Sequence, residues 1–137
     1  MRQAAPQMRG VAERLIAHET SDNKASEPKV PAAFQVVERL RSPLATLMGK
    51  AGFRVLVSRA LGLAGKEVPW LRTVHVKADG ALEGWEELQP QLDPEEWRAG
   101  GLALIAQLLG LLVALIGENL TLQLVREVWP KLPLDVF

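Results

Sequence analysis

Residues 99–117 read AGGLALIAQLLGLLVALIG, 19 residues with no charge and one polar side chain, Gln107. How this stretch is read decides the fold. A helix that spans a bilayer needs about 20 mostly apolar residues, and a core helix buried on all sides is written in the same letters. The strictly apolar part, Leu102 to Ile116, is 15 residues long. Glu95, Glu96 and Arg98 precede it and Glu118 follows, without the Lys/Arg excess that orients a span. The reading adopted is a helix buried in protein. The alternative is a single-span or membrane-inserting protein using residues 99–117.

The flanks set the helix ends. Asp93-Pro94-Glu95-Glu96 places an N-cap, a proline at the first helical position and a glutamate able to close a capping box. Beyond Glu118 the pattern continues in amphipathic form to Val128, and Trp129-Pro130 stops it. One helix of that extent would be about 50 Å long, longer than a domain of this size is wide. It therefore kinks near Gly117 or pairs with something outside its own domain. On a helical wheel Ala103, Ala106, Gly110, Ala114, Gly117 and Thr121 fall within an arc of about 80°. Such a strip of small side chains lets a second helix approach at backbone distance. Its occupant is either another helix of the same chain, most simply the one predicted over 53–64, or the symmetry mate in a homodimer or other homo-oligomer. The letters leave both open.

Outward from this segment the chain predicts a mainly α fold: a helical bundle built around one long C-terminal apolar helix, with a small β-hairpin. Phe53, Leu56, Val57, Ala60, Leu61 and Ala64 form one clean helical face. Gly49 and Gly52 predict a bend before it, and Ser42-Pro43 predicts a helix restart. A short helix is expected from Ala32 to Arg41. Val74, Val76 and Ala78 alternate with polar residues, and Asp79-Gly80 supplies a hairpin turn. Residues 7–19 form a first helix. The polar stretch 20–31, TSDNKASEPKVP, reads as a linker. The expected organisation is a mobile N-terminal arm and linker over 1–31 and a helical domain over 32–137.

Composition narrows the functions. The 137 residues carry 16 Lys+Arg and 16 Asp+Glu, so no nucleic-acid partner is expected. The neutral sum conceals two halves: up to Lys66 there are 11 basic and 5 acidic residues, net +6, and after it 5 and 11, net −6. Arg54, Arg59 and Lys66 mark a patch for an anion or a protein partner; the plainer reading is a solvated surface attracted to the acidic half. There is no cysteine, hence no disulfide and no thiolate chemistry. His18 and His75 stand apart from any metal-ligand spacing. The glutamate pairs 86–87 and 95–96 diverge by 100° on a helix, which suits solubility and capping better than acid–base work. No nucleophile elbow, Walker A or dinucleotide fingerprint is present, so no catalytic residue, metal or cofactor is assigned and no enzyme is expected. Trp70, Trp85, Trp97 and Trp129 stand at element boundaries, capping the core or anchoring a partner.

In residues 52–61, 67–71 and 76–80 (GFRVLVSRAL, EVPWL, VKADG), and again over 108–113 and 116–118, the chain resembles a group of small uncharacterised bacterial proteins. The likeness covers about residues 32–130. It implies a stand-alone bacterial domain and no activity. With no secretory signal in the first residues, the expected location is the cytoplasm, or a membrane under the alternative. The function expected is that of a non-enzymatic helical interaction protein, an adaptor or regulatory subunit acting through self-association and partner binding.

Overall fold

The computed structural model describes residues 6–22, 31–88 and 90–130. Four helices carry the fold among them: α1 (Pro6–Asp22), α2 (Ala32–Glu67), α3 (Pro94–Ile116) and α4 (Glu118–Val128). Between α2 and α3 lies an antiparallel ribbon of β1 (His75–Val76) and β2 (Leu82–Glu83), with His75 opposite Glu83 and Val76 opposite Leu82. This is the mainly helical bundle with a hairpin that the hydrophobic pattern predicts.

The apolar run is α3. Both halves of its capping box are made. Asp93 Oδ1 accepts from the Glu96 N–H at 2.8 Å, and Glu96 Oε1 accepts from the Asp93 N–H at 3.0 Å. Two of the first orphan donors are thereby satisfied, and the paired glutamates face the positive end of the helix dipole. From Gly100 to Leu109 every residue except Leu102 is buried, because α1 and α2 both pack on this half of the helix. Adjacent glycines make room for them. A Cβ on Gly101 would stand 2.7 Å from the Ala33 Cβ, and one on Gly100 would stand 2.2 Å from the Trp70 ring. Backbone contact at these two positions seats α2 and the Trp70 indole on α3.

The long helix breaks at Gly117, whose φ of +89° and ψ of 160° lie in a region that only glycine occupies at low cost. The chain then folds back. Trp129, at the end of α4, donates its indole N–H to Glu19 at 2.8 Å, while Ile16 of the same α1 lies against Gly101. The kinked alternative is the one adopted, and α4 lies alongside α3 instead of prolonging it.

A second glycine corner divides α2. Gly49, with φ +84° and ψ 160°, separates limbs over 32–48 and 50–67. The restart predicted at Ser42-Pro43 does not occur, since the first limb runs through Pro43. Pro43 forfeits one i→i−4 hydrogen bond. Leu40 and Leu44, both fully buried, hold the helix together across it through the same core stripe.

Residues 6–22 correct the expectation of a mobile arm. Met8, Val11, Ala12 and Leu15 are wholly buried in the common core, at i, i+3, i+4 and i+7 along α1. The polar residues that follow argue for a linker, yet they do not detach a helix whose apolar stripe has α3 to cover. Residues 20–22, expected within the linker, continue α1; the linker expected over 23–30 lies outside the described residues.

The ties also fix directions. Ala33 meets Gly101, and Arg39, further along α2, reaches the same Glu19 that binds Trp129. The first limb of α2 thus runs beside α3 in the same sense, and fifteen residues beyond their shared contact stand Met48 and Ile116. The second limb returns, so that Glu67 pairs with Arg9 at 3.5 Å near the start of α1 and Trp70 rests on Gly100. Both glycine corners therefore lie at one end of the bundle. At the other end Trp70, Trp97, Phe34 and Trp85 interlock edge to face, with centroid distances of 4.8, 6.4 and 5.8 Å.

Candidate functional site

The end that carries the corners departs from an ordinary protein surface. Leu47 is 56%, Val55 66%, Leu115 65% and Leu120 54% exposed, and these are all the large exposed hydrophobics among the described residues. Each lies within six residues of Gly49 or Gly117 in sequence. Scattered single leucines on a surface need no explanation, but their confinement to one end does. The corners also stand clear of the body. A Cβ built on either glycine meets nothing within 4 Å, so neither corner is packed against another part of the described chain.

A basic face adjoins this end. No aspartate or glutamate occurs between Glu38 and Glu67, while Arg39, Arg41, Lys50, Arg54, Arg59 and Lys66 do. Arg39 and Arg41 have carboxylate partners, Glu19 at 2.7 Å and Glu38 at 2.9 Å. Lys50, Arg54, Arg59 and Lys66 are exposed and make no ion pair among the described residues. At 100° per residue Arg54, Arg59 and Lys66 fall within an arc of about 140° on the side of the second limb away from Phe53, Val57, Ala60 and Ala64, whereas Lys50 lies outside that arc, close in angle to Val57. Arg54, Arg59 and Lys66 are exposed on that side of the limb, and Lys50 stands apart from them at the corner. Glu86, Glu87, Asp93, Glu95 and Glu96 are exposed around the start of α3, at the end of the bundle to which the second limb returns at Lys66 and Glu67, away from the corners.

The seam of small residues is divided. Ala103 and Ala106 are buried by neighbouring helices of the same chain, and so is Thr121, whose hydroxyl donates to the Gly117 carbonyl at 2.8 Å. Gly110 is half-buried. Ala114 and Gly117 are exposed at the cornered end. The first part of the strip therefore receives α1 and α2, and only its last turn reaches solvent beside Leu115.

Elsewhere the ionisable residues have local tasks. His75 is exposed, with Nε2 at 2.9 Å from Glu83 Oε2 and Nδ1 at 3.2 Å from the Thr73 carbonyl, which ties the two strands together. Asp79 sits in the hairpin turn. The Ala81 N–H, 3.0 Å from its carboxylate, holds its pKa below the ordinary value, helped by the charges of Lys77 and Arg41. Glu19 is the one buried carboxylate among the described residues, held between Arg39 and Trp129. Among those residues no three of His, Asp and Glu are grouped to hold a metal ion.

The exposed apolar side chains at the cornered end were not singled out from the sequence. One signal was available: Val55 falls off the helical face formed by residues 53, 56, 57, 60, 61 and 64. Leu47, Leu115 and Leu120 carried none, because they sit in runs where apolar residues surround the helix and nothing marks which are uncovered. No protein family, curated protein or solved structure matches the chain.

Proposed function

We propose that this protein is a non-enzymatic helical interaction protein, an adaptor or regulatory subunit that works by association. The observation that carries the reading is the cornered end, where four aliphatic side chains stand in water near Lys50 and Arg54, which make no ion pair among the described residues. Exposed apolar surface bordered by charge is the composition of interaction sites. The partner engages the Lys50–Lys66 face, and self-association uses the exposed turn of the seam at Ala114 and Leu115.

Light scattering tests the self-association. The expected result is a mass above the 15.0 kDa of one chain, returning to it in Ala114→Arg, a change at an exposed position that leaves the fold intact. A wild-type chain that stays at one-chain mass throughout the micromolar range removes self-association from the proposal.

A second reading has one specific support. α3 is long and apolar enough to cross a membrane, with a mean hydropathy of 2.3 over its best window. More than half of that window, 56%, is buried inside the protein, and a spanning α3 would have to shed α1 and α2. Extraction separates the two: a spanning helix leaves membranes only in detergent.

A further inference from the structure

We infer that the partner of the cornered end is the surface of an anionic lipid bilayer, bound peripherally by Leu47, Val55, Leu115 and Leu120 together with Lys50 and Arg54. The inference rests on the reading that this end is a docking surface. Three observations select lipid as the occupant.

The first is area. An aliphatic side chain carries roughly 100 Å² of surface, so four of them a little over half exposed present on the order of 250 Å². A stable protein interface needs about 800 Å² from each partner. The apolar patch alone falls short of that, and a folded partner, a second copy included, would have to draw on surface beyond it, whereas a bilayer accepts isolated side chains one at a time.

The second is access. Gly49 and Gly117 are exposed with open space around each. A protein partner must match the side chains around them, but a lipid headgroup layer deforms around exposed side chains and admits them to the acyl boundary.

The third is charge. Lys50 follows the Gly49 corner directly, and Arg54 lies one helical turn further, beside Val55. Neither is in an ion pair among the described residues. With the apolar tips at the headgroup boundary, these cations stand at the height of the lipid phosphates. Among the described residues Glu118 is acidic at this end, and it occupies the first position of α4, where the helix dipole favours a negative charge. Each Lys or Arg near an anionic surface strengthens binding about five-fold, so charge and burial act together where neither alone holds the protein.

The test is flotation of the full chain with vesicles of phosphatidylcholine containing about one-third phosphatidylglycerol, against vesicles of phosphatidylcholine alone. The protein is expected to float with the anionic vesicles only, and to be released by molar salt. Lys50→Glu with Arg54→Glu is expected to weaken binding at least about twenty-fold, and Leu47→Ser with Leu115→Ser to weaken it without changing its salt dependence. All four positions are exposed, and helical circular dichroism checks that each variant is folded. Failure to float, equal binding to neutral vesicles, or attachment that survives molar salt each overturns the lipid assignment. Light scattering of the same samples separates this from the reading beneath it. Self-association that Leu115→Ser abolishes, with no flotation, identifies a protein–protein surface and ends the lipid proposal alone. A one-chain mass with no flotation ends both.

Discussion

Replacing Gly100 with alanine puts the close contact on α3 to a quantitative test. In a helix interior alanine is favoured over glycine by about 1 kcal/mol, so propensity alone makes the change stabilising. The structure reverses the sign. The new Cβ would lie 2.2, 2.7 and 3.0 Å from three atoms of the Trp70 ring, and the ring must retreat by more than 1 Å, on the order of the gap to ordinary van der Waals contact near 3.5 Å. It is not free to do so. Its Nε1–H donates to the Glu96 carbonyl at 3.1 Å, and its face meets Trp97 at a centroid distance of 4.8 Å. Losing the hydrogen bond costs about 1 kcal/mol and disturbing the aromatic contact about 0.5–1.5 kcal/mol, with further strain from overpacking of about 1 kcal/mol or more. The net expectation is a destabilisation of about 1.5–2.5 kcal/mol, or roughly 5–9 °C in Tm for a chain of this length. Gly62→Ala is the control, since that glycine is exposed and a Cβ there meets nothing within 4 Å. It should stabilise by about 0.5–1 kcal/mol. Urea unfolding followed by circular dichroism measures both, and tryptophan emission reports whether the Trp70 indole has moved. A Gly100→Ala chain as stable as Gly62→Ala would refute the argument, because the two glycines would then differ in nothing that matters to folding.

Three further outcomes are expected. Glu19→Ala removes the buried acceptor of the Trp129 indole; the Arg39 side chain, 47% exposed, regains water and adds little. The loss is about 2 kcal/mol in chemical denaturation, most of it from the stranded indole N–H. Gly117→Ala costs about 1–3 kcal/mol despite the open space around it, because its φ and ψ exclude a side chain, and loss of α4 protection in hydrogen exchange would accompany it. Asp79 has a lowered pKa, so its contribution to the hairpin is complete above the unfolded value of 3.8 and is lost as pH falls through the lower folded value. Amide chemical shifts of Gly80 and Ala81 should follow that titration in the wild type, whereas Asp79→Asn should show no dependence there.

The parts of the fold that could be read from the chain are those specified over a few residues. Asp93 and Glu96 sit three apart and form the capping box that their spacing demands. Asp79-Gly80 turns the ribbon, with Gly80 at φ +93°. Gly49 and Gly117 break helices, as glycines between apolar runs suggest. What escaped depends on distant partners. Glu19 and Trp129 lie 110 positions apart, and nothing near either announces the other. Gly100 and Gly101 look like weak points in a helix until Trp70 and Ala33 arrive against them. Pro43 reads as a boundary because its local cost is visible and the flanking burial of Leu40 and Leu44 is not. The arm was misjudged for the same reason: α1 states its own apolar stripe, while the surface that receives it belongs to α3, whose letters are apolar all round and name no occupant. For the candidate site, the run of basic residues without an acid was legible, but the exposure of Leu115 was not, since it differs from buried Leu112 only in what covers it.

That difference bears on why the cornered end is apolar at all. If Leu47, Val55, Leu115 and Leu120 served the fold, replacing them with polar residues would weaken it. Their exposure predicts otherwise. Surface substitutions away from packing contacts usually lie within about 0.5 kcal/mol of neutral, and glutamine is at least as good a helix former as valine. The variant Leu47→Gln, Val55→Gln, Leu115→Gln, Leu120→Gln should therefore unfold within about 1 kcal/mol of the wild type while losing whatever this end binds. Unfolding by urea together with the flotation assay measures the two effects separately. A loss of several kcal/mol would mean that these side chains support the corners through partial burial, and the apolar end would need no partner to account for it. Retained stability with lost binding leaves association as the physical reason for four aliphatic side chains held in water near exposed Lys50 and Arg54.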